Sequence, residues 1–146
     1  MQRFSDKVVL VTGAGGGIGQ ASARRIAAEG GAVYCVDLNP AAVEAAVAAI
    51  RAEGGRASGR VCDISREDDV RACVAACVEE YGSLYALVNM AGLLRFDDTQ
   101  QLTLAQWQQV IDVNLTGTML LCREVIPHLL LSKGSIVNAA STAALS

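Results

Sequence analysis

A run of glycines near the N-terminus places the strongest constraint on how this chain folds. The segment 12–19, Thr-Gly-Ala-Gly-Gly-Gly-Ile-Gly, follows the apolar run 8–11 and leads into a helical pattern. Glycines allow a tight turn and a close ligand approach, and the N–H groups at a helix start attract negative charge. The segment therefore predicts a strand, a turn and a helix that bind the pyrophosphate of a dinucleotide. The residues expected to contact it are Gly13, Gly16, Gly17, Ile18 and Gly19.

A carboxylate at the end of the next apolar run supports this interpretation. Asp37 follows residues 32–36 and lies eighteen residues after Gly19, near the spacing of a carboxylate that binds the adenosine ribose. A carboxylate there repels a 2′-phosphate, and neither the glycine turn nor Leu38 supplies the arginine that such a phosphate needs. We therefore expect NAD as the cofactor rather than NADP.

The length and composition of the chain predict a single domain with one hydrophobic core. With 146 residues, 52% of them hydrophobic, it is long enough for one core and too short for two ordinary domains. The 12 basic and 15 acidic residues are scattered, which argues against nucleic-acid binding. No apolar stretch is long enough to span a bilayer and none resembles a signal peptide, so we expect no membrane partner and a cytoplasmic protein.

The five cysteines and the single histidine are not expected to form a chemical site. An odd number of cysteines without a Cys-x-x-Cys pair fits reduced thiols better than disulfides. Cys73 and Cys77 are spaced to contact a metal from one helix face, but no histidine or third thiol is near in sequence. We therefore expect core packing there and no metal. His128, after Pro127 in an apolar helical pattern, is expected to pack or to face solvent.

Apolar runs alternate with helical patterns along the whole chain. Strands are predicted near 7–12, 32–37, 58–62, 84–89 and 135–140, and helices near 17–29, 40–53, 66–81 and 104–131. Parallel strands joined by crossover helices produce this alternation. We therefore predict an α/β fold, a Rossmann-like doubly wound parallel sheet with strand order 3-2-1-4-5.

Capping residues are predicted for three of these helices. Asn39 precedes a proline at the first helical position, which suits an N-cap. Ser65 with Asp68 is expected to open the helix near 66–81, and Thr103 with Gln106 forms the pattern of a capping box.

Polar residues and a glycine lie at or just beyond the carboxyl ends of the predicted strands. They are Gly13, Asp37, Asp63, Asn89 and Ser141. Doubly wound sheets bind their ligands outside these strand ends. We therefore expect the five residues to surround one cleft.

Several segments together resemble the short-chain dehydrogenase/reductase family. They are the glycine segment, Asp63 with Ile64, residues 89–92 (Asn-Met-Ala-Gly), Asn114, and residues 134–138 (Gly-Ser-Ile-Val-Asn) followed by Ser141. The glycine segment alone also matches the extended, epimerase-like branch of the family, whereas residues 89–92 favour the ordinary single-domain branch. Met90 departs from the family's usual Asn-Asn-Ala-Gly.

The resemblance implies roles for residues around the cofactor. Asp37 would hold the adenosine ribose, and Asp63 and Ile64 would contact the adenine, although Asp63 could also be a simple turn residue. The remaining cofactor residues would line the cleft and support the sheet, and they are Asn89, Ala91 and Gly92.

The resemblance also implies a catalytic end of the cleft. Ser141 would hydrogen-bond the substrate oxygen, with an ordinary loop serine as the alternative. Asn114 would hold a water in a proton relay, or would instead satisfy neighbouring backbone groups. The family's acid/base tyrosine, in Tyr-x-x-x-Lys, does not occur in the chain, since only five residues follow Ser141. We therefore expect residues 1–146 to be a dinucleotide-binding Rossmann domain truncated before that segment, and inactive by themselves.

Two functions of different kinds follow from this sequence. The first is an NAD-dependent oxidoreductase that interconverts an alcohol and a ketone or aldehyde by hydride transfer, with the tyrosine and lysine beyond these residues. The alternative is a non-catalytic NAD-binding module that serves as a redox sensor or scaffold. The long helix 104–131 has Gly117 in its interior, and the resemblance suggests that it helps to form a homodimer or homotetramer.

Overall fold

A computed structural model describes residues 2–96 and 98–141 of the protein. The strands are β1 Val8–Thr12, β2 Ala32–Asp37, β3 Arg56–Val61, β4 Ala86–Asn89 and β5 Ser135–Asn138. The helices are α1 Gly17–Ala28, α2 Pro40–Ala52, α3 Glu67–Tyr81, α4 Leu104–Ile111 and α5 Gly117–Ser132, with a π-helical turn at Asp112–Thr116 between the last two. All strand pairs are parallel and the order is β3-β2-β1-β4-β5, which confirms the predicted topology.

The central strand β1 is apolar at nearly every position because both faces of the sheet are covered. Val8 and Leu10 belong to the core that the sheet forms with α3 and α5. Val9 and Val11 point the other way, into the core that it forms with α1 and α2. Alternate residues of a strand face opposite sides, so a strand between two helical layers needs an unbroken apolar run. This arrangement is the doubly wound fold that the sequence predicts.

Helix starts and strand bounds follow the predictions at some positions and differ at others. The Asn39 side chain accepts hydrogen bonds from Ala41 and Ala42, and Thr103 forms a capping box with Gln106, as predicted. β3 begins at Arg56, earlier than predicted, whereas β4 and β5 are each shorter than the sequence indicates.

The predicted cap at Ser65 is wrong. Helix α3 begins at Glu67 with Arg66 at its N-cap, and no side chain caps it. The Ser65 hydroxyl donates instead to Asp63 Oδ1 at 2.6 Å, and the Ser65 N–H donates to the same oxygen at 3.0 Å. The Ser65 hydroxyl, which was expected to cap the helix, therefore binds Asp63 instead.

The predicted long helix near 104–131 is helical throughout, but it is not a uniform α-helix. In the π-helical turn, which includes Asn114, backbone hydrogen bonds span five residues rather than four, as from the Gly117 N–H to the Asp112 carbonyl. Helix α5 then ends at Ser132, and its C-cap residue Lys133 has a left-handed φ of 54°. No helix within the described residues is long and apolar enough to cross a membrane.

Cys73 and Cys77 pack in the core, as predicted. Cys73 and Cys77 are buried between the sheet and α3, and Cys122 on α5 is half-buried. Across residues 2–96 and 98–141, no group of three or more histidine, cysteine or acidic side chains is placed to bind a metal.

Candidate functional site

The glycines of the first turn divide into two kinds according to what surrounds them. A Cβ at Gly19 would lie 2.1 Å from the Gly13 carbonyl oxygen, and a Cβ at Gly13 would lie 3.0 Å from the Ala91 nitrogen. A Cβ at Gly16 or Gly17 would meet no described atom within 4 Å. The first two positions are therefore glycine because the backbone is crowded, whereas the space beside Gly16 and Gly17 is open to a ligand.

The N-terminus of α1 fits an anion in this open space. Gly16 is the N-cap and offers no side-chain hydrogen bond, and the first turn, all of which the structure describes, holds no acidic residue. The amide groups at a helix start need acceptors, and the partial positive charge there favours a phosphate. The residues present thus fit the pyrophosphate of a dinucleotide.

Asp37 at the end of β2 is tied to the glycine turn. Its Oδ2 accepts a hydrogen bond from the Gly15 N–H at 3.0 Å, and its Oδ1 accepts one from the Asn39 N–H at 3.1 Å. A Cβ at Gly15 would lie 2.8 Å from Oδ2, so only glycine lets the carboxylate come this close. Each carboxylate oxygen retains lone pairs for another donor, such as a ribose hydroxyl.

Asp63 and Ile64 follow β3 on the same side of the sheet. Asp63 Oδ1 is engaged by Ser65, which holds the carboxylate in one orientation. Ile64 is buried, and a Cβ at Gly117 would lie 2.9 Å from its side chain. Ile64 therefore supports the start of α5 as well as the wall of the cleft.

Thr12 is the residue that anchors the floor of the cleft, and it was not among the predicted site residues. Its hydroxyl accepts the N–H groups of Met90 and Ala91, each at 3.1 Å, and donates to Asn89 Oδ1 at 2.7 Å. Both Thr12 and Asn89 are buried. The sequence signal was available, since Thr12 is the one hydroxyl residue in an otherwise apolar strand and directly precedes the glycine turn.

Asn114 contacts backbone groups at the mouth of the cleft. Its Oδ1 accepts the Leu93 N–H at 2.7 Å, and its Nδ2 donates to the Leu93 carbonyl at 2.8 Å. The amide therefore fixes the segment that follows Gly92 against the π-helical turn. Oδ1 keeps a second lone pair and Nδ2 a second hydrogen, so a water can still bind to this side chain.

A cleft of about 390 Å³ lies along the carboxyl ends of the strands. Of the predicted residues, its lining includes Gly13, Gly16, Asp37, Asp63, Ile64, Ala91 and Gly92. Asn89 lies beneath the floor, and Gly17, Ile18 and Gly19 continue into α1. Ser141 is exposed, three residues beyond the end of β5. Lining residues that the sequence did not single out for the site are Thr12, Val36, Cys62, Gln109 and Val113.

The Cys73 thiol, which lies behind this lining, is unreactive. Cys62 lines the cleft, and Cys73 lies behind it in the core. A hydrogen bond with Cys62, together with burial, holds the pKa of Cys73 far above its ordinary value. Cys73 is therefore a neutral core thiol at physiological pH rather than a nucleophile.

Comparisons with known proteins place this geometry in a family. The model of the family described as short chain dehydrogenase matches residues 7–146. The short-chain reductase protein NovJ of Streptomyces niveus is 47% identical over 142 residues, which cover 95% of this chain and 53% of that protein. A 3beta-hydroxysteroid dehydrogenase of Mediterraneibacter gnavus is 42% identical over 146 residues, covering 99% of this chain and 53% of that protein.

A solved structure shares the fold over almost the whole chain. The short-chain type dehydrogenase/reductase from Mycobacterium ulcerans superposes with a TM-score of 0.91 at 32% identity, over 97% of this chain and 53% of that one. The chain thus spans about half the length of the relatives that it matches. With its family model, its relatives and its sheet topology in agreement, the chain belongs to the short-chain dehydrogenase family.

Proposed function

We propose that the full-length protein is an NAD-dependent oxidoreductase that interconverts an alcohol and a ketone or aldehyde by hydride transfer. Residues 1–146 are its dinucleotide-binding part. The observation that carries the proposal is the Asp37 carboxylate, which the turn amide of Gly15 holds at the rim of the cleft. Relatives named as a D-threitol dehydrogenase and a cyclohexanol dehydrogenase support oxidoreduction of an alcohol.

The cofactor residues form a continuous path along the cleft. The open space beside Gly16 and Gly17 suits the pyrophosphate, and Asp37 suits the diol of the adenosine ribose. Asp63 and Ile64 form the wall where the adenine binds. When bound, NAD supplies the carbon that accepts a hydride from the alcohol.

Asp37 favours NAD over NADP for an electrostatic reason. The carboxylate can accept hydrogen bonds from both ribose hydroxyls, whereas a 2′-phosphate would bring like charges together. The residues that follow it, Leu38, Asn39 and Pro40, carry no positive charge to offset that repulsion.

The substrate end of the cleft is assigned to Ser141 and Asn114. The Ser141 hydroxyl hydrogen-bonds the substrate oxygen, and Asn114 holds a water with the donor and acceptor positions that Leu93 leaves unused. The proton of the substrate hydroxyl passes to a tyrosine, which we place with its lysine in a Tyr-x-x-x-Lys segment of the full-length protein. Ser141 comes three residues after β5, whose last residue pairs with Asn89 in the floor.

The exposed apolar side chains of α4 and α5 support a homodimer or homotetramer. Leu104 and Trp107 on α4 are exposed, as are Met119 and Ile126 on α5. We assign these side chains to a subunit interface, because soluble oligomers pair identical surfaces by symmetry. We place the oligomer in the cytoplasm, where five free cysteines remain reduced.

Substitution of Asp37 tests the proposed function directly. In the full-length protein, Asp37→Ala is expected to weaken NAD binding roughly tenfold to a hundredfold, the range for hydrogen bonds to a charged group. The ratio of kcat/KM for NAD to that for NADP should fall by a similar factor. Glu44→Ala is the matched control, because it removes an exposed carboxylate of the neighbouring helix with the same change in net charge.

Two results would count against the proposal. Preference of the wild-type protein for NADP, or an unchanged cofactor ratio in Asp37→Ala, would remove the assigned role of Asp37. Tight NAD binding without turnover of any alcohol or carbonyl in a broad panel would favour the non-catalytic NAD-binding module instead.

A further inference from the structure

A line of side-chain hydrogen bonds crosses three neighbouring strands at the carboxyl edge of the sheet. Thr12 on β1, Asn89 on β4 and Asn138 on β5 are register partners, so their side chains share one face. Thr12 Oγ1 donates to Asn89 Oδ1 at 2.7 Å, and Asn89 Nδ2 donates to Asn138 Oδ1 at 3.4 Å. On the far side, Asn138 Nδ2 lies 3.7 Å from the Sγ atom of Cys122 on α5.

The backbone N–H groups at one end of this line determine which atom donates in each of its hydrogen bonds. The N–H groups of Met90 and Ala91 can only donate, and both donate to Thr12 Oγ1. The hydroxyl hydrogen of Thr12 must then go to Asn89 Oδ1, which turns Asn89 Nδ2 toward β5. Asn138 must therefore present its carbonyl oxygen to Asn89, and the Cys122 Sγ atom lies 3.7 Å from Nδ2 and 3.8 Å from Oδ1 of the same amide.

The line ends in the floor of the proposed cofactor cleft. Met90 and Ala91 line that cleft, and the backbone of Ala91 is in close contact with the turn at Gly13. If the Asn89 amide loses its partner on β5, it can rotate, and the Thr12 hydroxyl then loses its defined acceptor. The positions of the Met90 and Ala91 amides thus depend on a residue two strands away from Thr12.

We propose that Asn138 is a positioning residue for the floor of the cofactor cleft. It acts through its hydrogen bond with Asn89, which in turn binds Thr12, and the Cys122 thiol contacts Asn138 from the other side. The inference rests on the proposed function, because it assigns to Asn138 a part in the affinity for NAD. Asn138 is exposed, so it contributes little to the core. Its amide is nevertheless held from two sides: Asn89 on β4 sets its orientation, and Cys122 on α5 contacts both of its polar atoms.

Two substitutions of Asn138 in the full-length protein separate hydrogen bonding from bulk. Asn138→Leu removes the acceptor that Asn89 Nδ2 requires. Asn138→Asp keeps an oxygen toward Asn89, and the Cys122 thiol can donate to the other oxygen. Val137→Leu is the control, because Val137 precedes Asn138 in the strand and faces the opposite side of the sheet.

Two measurements are made on each variant. The first is hydrogen exchange of the Met90 and Ala91 amides without cofactor, and the second is the Kd for NAD. Asn138→Leu is expected to speed exchange of both amides and to raise the Kd roughly threefold to tenfold, the range for one neutral hydrogen bond. Asn138→Asp and Val137→Leu are expected to match the wild-type protein in both measurements. Cys122→Ala, which leaves β5 intact, is expected to shift both values in the same direction by less.

Each outcome decides the inference. Wild-type exchange and affinity in both Asn138→Leu and Cys122→Ala would overturn it. Equal losses in Asn138→Leu and Asn138→Asp would also overturn it, since only the first removes the acceptor. Faster exchange in Asn138→Leu, with no NAD binding by the wild-type protein, would support the hydrogen-bonded line and refute the proposed function. If Asn138→Leu does not fold, Cys122→Ala and Asn138→Asp still test the direction of the line.

Discussion

Two alanine substitutions in the glycine turn should have opposite consequences for stability and for cofactor binding. Gly19→Ala places a methyl group 2.1 Å from the Gly13 carbonyl oxygen and 3.1 Å from the Thr12 carbonyl oxygen. Gly16→Ala places the same group where no described atom lies within 4 Å, at an extended φ of −165° that any residue adopts. A comparison of the two variants therefore separates the effect of backbone packing on stability from the effect of the cofactor site on NAD binding.

The free energy of unfolding should differ clearly between the two variants. Overpacking against a well-packed neighbour costs about 1–3 kcal/mol, and the contact at Gly19 belongs to the upper end because backbone atoms cannot rotate away. Reduced entropy of the unfolded chain returns about 0.4–1 kcal/mol, which leaves Gly19→Ala less stable by about 2 kcal/mol. At Gly16 this same gain offsets the loss of a favourable N-cap glycine, so the net change should stay within about 1 kcal/mol.

Cofactor binding should show the reverse order. The methyl group of Gly16→Ala occupies space that we assign to the pyrophosphate, so the Kd for NAD should rise by about tenfold, equivalent to about 1.4 kcal/mol. Urea unfolding gives the stability of each variant, and titration with NAD gives its Kd. Equal destabilisation by both substitutions would refute the packing argument. Wild-type affinity in Gly16→Ala would refute the placement of the pyrophosphate.

Two further predictions concern stability outside the turn. Thr12→Val keeps the shape of the side chain but leaves Asn89 Oδ1 and two backbone N–H groups without their partner. The free energy of unfolding, measured in urea, should therefore fall by about 1–3 kcal/mol. A fall below about 0.5 kcal/mol would contradict this prediction. Hydrogen bonding from Arg3 holds the pKa of Glu29 at about 2, below its ordinary value of 4.5. Since the folded pKa is lowered, the stabilisation from Glu29 is present above about pH 4.5 and is lost as the pH falls toward 2. The Tm of Glu29→Gln should therefore lie below that of the wild-type protein at pH 7, and the gap should narrow between pH 4.5 and pH 2; a gap that does not change with pH would contradict the assignment.

The sheet and the edge that carries the candidate site were predictable because they depend on local patterns. The unbroken apolar runs of β1 and β2 require helices on both faces of the sheet. Right-handed crossovers then leave few strand orders, and the carboxyl ends bring Gly13 and Asp37 to one cleft. Asn39 and Thr103 were predicted as caps because the groups that they bind follow within three residues.

Features that depend on distant partners were not predictable in the same way. Asn114 binds Leu93 across 21 residues, and the sequence left open whether it would hold a water or backbone. Asn138 was expected only as part of a strand, and its bond to Asn89 depends on the register between β4 and β5. At Ser65 two local interactions compete, and the bond to Asp63 replaces the expected helix cap.

The π-helical turn shows a further limit of sequence patterns. The apolar stripe of the long helix has the spacing of an α-helix on both sides of Asp112–Thr116, so its period does not reveal the added residue. The turn places Asn114 against Leu93. π-helical turns of this kind often occur at functional sites, which agrees with the role proposed for Asn114.

A crystal structure of the full-length protein with NAD would test the central claim most directly. We expect the pyrophosphate at the start of α1 beside Gly16 and Gly17, and the adenosine ribose hydroxyls on the Asp37 carboxylate. NAD bound away from the carboxyl edge of the sheet, or bound there with its ribose out of reach of Asp37, would contradict the account.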